Sequence, residues 1–347
     1  MTRITTNGVF RLAVVGSGQI ATQAHIPAVL ESPHVELAAV IDTSRSRAER
    51  VISDFQLRAK VASSISEVRD SVDGVIVATP NHTHSALAIE CLTLGLPVLI
   101  EKPIASTVAD AATVVAMAAR SKLVASVGYC TRFWDNVCLL GELLDSNYFG
   151  AVHRFVYQLG ISDWAPPVSG YSFSRAAAGG GVLIVNGSHF IDRMLHWFGF
   201  PDEVEYSDDS LGGPEATAVG SLQWSRERAL QGTIRLSKVR RLPSGLVLET
   251  DAGIVTMHES AEAPLLWRPQ DRAIELIINP RRPRLCPDDR AAFRLQLEDF
   301  VSACRNSQPP RVSAEEGLES LRMIDMLYAR RRSVHEPRTP AETARVL

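Results

Sequence analysis

Phe10-Arg11-Leu12-Ala13-Val14-Val15-Gly16-Ser17-Gly18-Gln19-Ile20-Ala21 is the stretch whose reading decides the fold. A short apolar strand runs straight into Gly-x-Gly-x-x-Ala. Gly16 permits the tight turn, Gly18 lets the backbone approach a pyrophosphate, and the small Ala21 lets the next helix pack against the strand. That helix presents free N–H groups and the positive end of its dipole to a phosphate. A second apolar run, Val35 to Ile41, ends in Asp42, where a carboxylate can take the hydroxyls of an adenosine ribose. A carboxylate there repels a 2′-phosphate and favours NAD over NADP, with Arg45 and Arg47 as a partial offset that keeps NADP open. The plainer role for Asp42 is to cap the helix starting near Ser44.

The pattern continues outward. Asp73-Gly74-Val75-Ile76-Val77-Ala78-Thr79-Pro80 is a third strand, stopped by Pro80 because proline cannot continue a central ladder. Asn81-His82-Thr83-His84 leads into a helix from Ser85 to Leu94, closed by Gly95. Leu96 to Ile100 is the next strand and delivers Glu101-Lys102-Pro103. Strands alternating with helices predict an α/β doubly wound parallel sheet, in which ligands gather at the carboxyl ends of the strands.

The chain has 347 residues, enough for two domains, with 46% apolar and 22% charged residues, a soluble globular composition. Lys and Arg number 36 against 39 Asp and Glu, so no charge excess points to nucleic acid or an anionic membrane. The N-terminal residues lack a signal-peptide pattern, and no apolar run reaches the roughly 18 residues of a membrane span. The expectation is a cytoplasmic protein. Cys91, Cys130, Cys138, Cys286 and Cys304 are scattered without a Cys-x-x-Cys pair, and read as reduced thiols; no metal site is expected.

In the second half, strand-like runs fall at Val152–Leu159, Ala216–Trp224, Leu230–Ser237, Gly245–Glu249 and Gly253–Met257. They predict an α+β domain with a large, mostly antiparallel open sheet, one face covered by helices. Helices are predicted at Val108–Arg120, Asp135–Asp145, Arg290–Cys304 and Ala314–Arg330. Acidic Glu315 and Glu316 at the start of the last and basic Arg330-Arg331-Arg332 at its end suit the helix dipole. The basic patches Lys238-Val239-Arg240-Arg241 and Arg281-Arg282-Pro283-Arg284 read as solvated loops. The domains divide as 1–128 and 129–347, with the C-terminal helix able to pack back on the first. Gly179-Gly180-Gly181 opens a further apolar helix on which Val185, His189 and Arg193 share one face. By itself, a histidine on such a face reads as a core residue.

Taken together, Gly16-x-Gly18-x-x-Ala21, Ala78-Thr79-Pro80-Asn81-x-x-His84, Glu101-Lys102-Pro103 and Gly128-Tyr129-Cys130-Thr131-Arg132-Phe133 resemble the Gfo/Idh/MocA oxidoreductases. The resemblance implies an NAD(P)-dependent enzyme moving a hydride to or from a secondary hydroxyl of a sugar, sugar nucleotide or cyclitol. It implies cofactor binding by Gly16, Gly18, Gln19, Ile20, Asp42, Thr79, Pro80, Asn81, His84, Glu101 and Lys102, and a cis bond before Pro103. It implies a homo-dimer or homo-tetramer built on the open sheet face. It also changes the standing of His189, which matches the histidine of the family's Asp-x-x-x-His. With an ordinary pKa near neutrality, His189 is the expected proton acceptor and Lys102 the group that orients the same oxygen. Substrate contacts are expected from Lys102, Arg132, Trp164, Asn186 and His189. For Arg132 the alternative is a structural salt bridge at the domain boundary; for Trp164 and neighbouring Tyr171 it is simple packing.

One position departs from the pattern. The family's aspartate falls on Val185, which can neither accept a proton nor orient an imidazole. Asp192, three residues after His189, is the candidate to support its ring instead. Two further functions follow as alternatives: a redox-neutral enzyme that cycles tightly held NAD to cleave or eliminate from a sugar, and a regulator that binds NAD and sugar without turnover.

Overall fold

The computed structural model describes residues 8–160, 178–210, 212–226, 228–280, 285–286 and 288–334. Trp164, Tyr171, Arg281-Arg282-Pro283-Arg284 and the C-terminal tail with Pro337 and Pro340 lie outside the described residues.

Strands β1 (Phe10–Val15), β2 (Val35–Ile41), β3 (Lys60–Ala62), β4 (Gly74–Val77), β5 (Val98–Ile100) and β6 (Ala125–Val127) form one sheet in the order β3-β2-β1-β4-β5-β6. Every pairing in it is parallel. Its central strands are buried on both faces, which is why β4, and β1 from Leu12 onward, read as unbroken apolar runs without alternation. The strand order reverses between β1 and β4, and a nucleotide crevice opens at such a switch point. A π turn at Ala21–His25 leads into α1 (Ile26–Glu31). Helices α2 (Arg45–Asp54), α3 (His84–Thr93), α4 (Val108–Ser121) and α5 (Asp135–Asp145) follow.

The second sheet has nine strands: β7 (Val152–Gly160), β8 (Glu203–Asp208), β9 (Thr217–Trp224), β10 (Leu230–Ser237), β11 (Gly245–Thr250), β12 (Gly253–His258), β13 (Leu265–Pro269), β14 (Leu276–Ile278) and β15 (Arg331–Ser333). Their order is β14-β13-β12-β11-β7-β10-β9-β8-β15, antiparallel except where β10 joins β7 and β15 joins β8. Helix α6 (Ser188–Phe198) lies on one face of this sheet, entered through a second π turn at Leu183–Gly187. Aromatic stacking fixes its seat: Phe190 lies flat on Tyr157 with centroids 3.8 Å apart, and Phe198 stacks on Phe155 at 5.6 Å.

The last two helices, α7 (Asp289–Asn306) and α8 (Ala314–Ala329), return to the first sheet. Leu297, Phe300, Val301 and Cys304 of α7 share a core with Phe10, Leu12 and Val14 of β1. Ser313 and Glu316 make a reciprocal capping box at the head of α8. The basic run after α8 differs from its sequence reading as a helix end. Helix α8 stops at Ala329, and Arg331 lies in β15, its guanidinium 2.7 Å from the fully buried carboxylate of Asp208. A buried charge left unpaired costs several kcal/mol, roughly, so Asp208 draws the arginine into the sheet. All five cysteines are unpaired, and no helix among the described residues is long and apolar enough to cross a membrane.

An apolar void too narrow for water lies under α8, lined by Gly220 together with Tyr206, Ile234, Leu236 and Leu327. A methyl group on Gly220 would meet its nearest neighbours at 3.8 Å, ordinary contact, in a strand that needs no positive φ. Gly220→Ala is expected to stabilise the protein by about 0.4–1 kcal/mol, read as a higher denaturation midpoint with unchanged circular dichroism.

Candidate active site

The nucleotide end of the crevice is built from the turn after β1. Gly16 has φ +104°, and a Cβ there would overlap the carbonyl of Ala78 at the end of β4, so only glycine closes this turn. Gly18 faces open space, and Gly18, Gln19 and Ile20 are exposed around the start of the helical turn. A dinucleotide fits this arrangement, because its pyrophosphate needs bare backbone and uncovered N–H groups. Asp42, buried at the end of β2, accepts from the Ser17 N–H at 3.0 Å and from the Ser44 N–H at 2.8 Å. It therefore ties the glycine turn to the head of α2. Arg47 closes on the same carboxylate at 3.0 Å.

Two loops at the other side of β1 are stapled by His84. Its ring nitrogens lie 2.8 Å from the Thr79 carbonyl and 2.7 Å from the Pro103 carbonyl. Burial lowers its pKa, against two carbonyl acceptors that favour a doubly protonated ring. Thr79 shares a 2.6 Å hydroxyl contact with Thr83, and after Pro80 the Asn81 amide donates to the Ala178 carbonyl at 2.9 Å. Asn81 thus holds the first domain to the segment that opens the histidine helix.

Glu101 is buried, with Oε1 2.8 Å from His25 Nε2 and Oε2 accepting from the Lys102 N–H at 3.1 Å. Burial alone would raise its pKa, but His25, Lys102 and His84 outweigh it and hold the carboxyl below its usual range. The Lys102–Pro103 peptide is cis. Lys102 extends from there to the second domain, and its Nζ donates to the carbonyl oxygen of Val185 at 2.7 Å. Burial lowers the lysine pKa, and the charge of Glu101 acts against that.

Val185 lies in the π turn that heads α6, and the turn is held by a group with no sequence signal. Glu215 accepts from the Gly181 N–H at 2.9 Å, the Leu183 N–H at 3.0 Å and the Tyr328 hydroxyl at 2.8 Å. A Cβ on Gly181 would overlap the Glu215 backbone, which explains the glycine. A carboxylate at a helix N-terminus takes up orphan N–H groups and complements the dipole. One turn beyond Val185, His189 is half-buried, edge-on to Tyr129 at 5.8 Å, with Nδ1 buried and unpartnered. Burial, then the charges of Lys102 and Arg193, hold its pKa well below the ordinary value. The imidazole is neutral at physiological pH. Asn186 beside it is half-buried, its Oδ1 without a partner.

Arg132 and Asp192 are placed differently from their substrate-binding and ring-supporting expectations. Arg132 is 4% exposed and its guanidinium bonds Glu316 at 2.6 Å and the Arg311 carbonyl at 3.4 Å, with Asp192 at 3.7 Å. This is the salt-bridge alternative, joining α8, α6 and the domain crossing. Asp192 makes no hydrogen bond to His189, because at three residues' spacing it turns towards Arg132. Arg193 is likewise engaged, bonding Glu259 at 2.6 Å and the His189 carbonyl at 3.2 Å. His25 and Glu215 were not found from sequence. His25 carried a signal, four residues after Ala21 and so on the same packed face of its helix; Glu215 carried none. Among the described residues, no group of three His, Cys, Asp or Glu side chains could hold a metal ion.

A doubly wound nucleotide sheet that delivers a lysine onto a histidine-bearing helix of a second, open sheet fits a dinucleotide-dependent oxidoreductase. Residues 10–129 match the model of an oxidoreductase family with an NAD-binding Rossmann fold, Gfo/Idh/MocA. The part of the chain that carries the nucleotide sheet thus matches that family. The rhizopine catabolism protein MocA of Rhizobium meliloti is 28% identical over 322 residues, 91% of this chain and 93% of that protein. A levoglucosan dehydrogenase solved with NADH and levoglucosan superposes with a TM-score of 0.82 at 16% identity, over 92% of this chain and 96% of its own. A 3-ketoreductase from Actinomadura kijaniata solved with NADP and TDP-benzene gives 0.78 at 19% identity, over 94% and 99%. At these identities the two structures speak for the fold.

Burial first, with Glu316 adding and Arg132 and Arg193 opposing, pushes the Asp192 pKa up to about 7. The folded state therefore keeps a proton that the unfolded chain gives up near pH 4, so stability is lost progressively as pH rises from about 4 to about 7 and the loss is complete above that. Asp192→Asn is expected to be more stable than the parent above pH 7, the difference fading towards pH 4, in denaturant titrations. The pH profile of its turnover is expected to match the parent's.

Proposed function

We propose that the protein is an NAD(P)-dependent dehydrogenase or reductase acting on a secondary hydroxyl or ketone of a sugar, sugar nucleotide or cyclitol. The observation that carries this reading is the meeting of Lys102 and His189: the ammonium is anchored to the carbonyl one turn before the imidazole, and its charge is felt at the ring. Bound nicotinamide supplies a hydride acceptor or donor, which Gly16, Gly18, Gln19, Ile20 and Asp42 would hold by its dinucleotide. The chain's own groups manage the proton. Neutral His189 accepts the hydroxyl proton at Nε2, since Nδ1 is buried. Lys102 has three N–H donors and spends one on Val185, leaving two for the substrate oxygen as negative charge develops. Asn186, with an unpartnered amide oxygen, is placed to accept from a neighbouring hydroxyl.

The redox-neutral and regulatory alternatives share the nucleotide and sugar sites. A pure sensor has no use for a proton acceptor paired with an electrophile, and Val185 does not leave the lysine unanchored, because the backbone holds it. For the cofactor, Asp42 favours NAD, while Arg47 on the same carboxylate reduces the repulsion of a 2′-phosphate. The levoglucosan dehydrogenase binds NADH and the 3-ketoreductase NADP, so the family fold accepts both.

A panel of sugars and cyclitols assayed with NAD and NADP in parallel tests the reading through steady formation of reduced cofactor. His189→Ala is expected to lower kcat by about 10²–10⁴-fold while NADH binding, followed by fluorescence, stays within about threefold of the parent. A depressed pKa keeps His189 unprotonated as pH falls, so oxidation should hold steady through pH 6.5, the ordinary histidine value, and decline only well below it. Undiminished turnover in His189→Ala would remove the histidine from the chemistry. Arg47→Ala is expected to lower kcat/KM with NADP and leave that with NAD unchanged.

A further inference from the structure

Lys238 was read from sequence as part of a solvated basic loop, and the structure places it elsewhere. It directly follows β10, its N–H donates to the Ala216 carbonyl at 2.8 Å, and its side chain is half-buried. Ala216 adjoins Glu215, whose carbonyl takes the Val182 N–H at 2.8 Å and whose carboxylate caps the head of the histidine helix. The turn after Lys238 is fixed, with Ser237 Oγ accepting from the N–H groups of Val239 at 3.2 Å and Arg240 at 3.0 Å. Lys238 is therefore a rigidly mounted cation beside the head of α6. Among the described residues its ammonium makes no ion pair or hydrogen bond.

The carboxylates nearest it along the strand pairing are already committed: Glu215 serves two N–H groups and the Tyr328 hydroxyl, and Asp209 takes the N–H groups of Ala216 and Thr217. Burial lowers the Lys238 pKa, the charge of Glu215 acts against that, and Lys102 lowers it further, so the two lysines feel each other. Leu236, two residues earlier and so on the same face of β10, lies against Gly187 at the head of α6. Lys238 therefore leaves the sheet on the face that carries Val185 and the Lys102 ammonium bonded to it; neither lysine has a carboxylate bonded to it. Lysines are seldom buried without a partner, and a half-desolvated ammonium binds a carboxylate or phosphate more tightly than a solvated one does.

We propose that Lys238 recognises an anionic substituent of the substrate, so that the natural substrate is an acidic or phosphorylated sugar or cyclitol. The inference rests on the dehydrogenase reading for the reacting end. Lys102 and His189 take the oxygen that reacts, and Lys238 takes a carboxylate or phosphate carried on a different carbon.

The test is calorimetry on the NADH-loaded protein with matched sets: glucose, glucuronate and glucose 6-phosphate, and galactose, galacturonate and galactose 6-phosphate. Turnover with NAD is measured on the same sets. An anionic member should bind at least about tenfold tighter than its neutral parent, with the preference falling as salt is raised. Lys238→Met should abolish that preference and leave the neutral parents unchanged, and Lys238→Arg should retain most of it. The ranking of uronate against phosphate identifies the group. Equal or tighter binding of neutral parents, a preference that survives Lys238→Met, or no binding by any member overturns the proposal. Charge-selective binding without turnover supports Lys238 and sinks the dehydrogenase reading. Turnover of neutral parents indifferent to Lys238 does the reverse.

Discussion

The hydrogen bond from the Lys102 ammonium to the Val185 carbonyl, 2.7 Å long, is where the two sheets meet as a site. On one side it depends on the reach of a side chain leaving β5 through Glu101. On the other it depends on the rotation of α6, since a slip of one residue would swing the carbonyl about 100° around the axis. Glu215 sets that rotation by gripping two N–H groups at the helix head, and Phe190 stacked on Tyr157 sets it from below. The π turn at Leu183–Gly187 lies between these anchors. Such turns concentrate at functional positions because they interrupt the regular ladder.

The surrounding charges are kept inside the protein by pairing, and the pairing carries the positional information. Glu101 is bonded to His25 at the end of the nucleotide turn and stands next to Lys102 in sequence. Movement of the nucleotide turn therefore reaches the lysine through one buried carboxylate. His84 performs a similar service between Thr79 and Pro103. Removing one member of such a set strands the other in a low dielectric, which costs about 3–5 kcal/mol in a buried ion pair. The site and the fold are stabilised by the same contacts.

This explains what was legible in the sequence. Local signals worked where local physics decides: the Gly16–Ala21 turn, and the boundaries of β10 and α5, follow from residue pattern. Strand β8 alternates buried and exposed residues over six positions, but its acidic and polar outer face hides it, and β14 is too short to register. Arg331 looked like a helix end because the helix dipole is local, whereas Asp208, more than a hundred residues away, is not. The family resemblance located Lys102 and His189 but said nothing of Glu215 or His25. The same distance limit misplaced Asp192, whose spacing from His189 is right while its nearest cation, Arg132, lies on another element.

Val185 is best understood through charge. An aspartate at that position would give Lys102 a carboxylate partner and would raise the pKa of His189 by offsetting the positive field at its ring. With valine, the ammonium meets only a neutral carbonyl; burial holds both pKa values down, and the charge of Lys102 adds to it at the imidazole. The histidine is left as an unprotonated acceptor, weaker as a base but available over a wider range of pH. The cleft is also left more positive by one charge than its aspartate-bearing counterpart would be. A ligand that brings its own negative group would offset that charge, and the proposed anchor for such a group is Lys238.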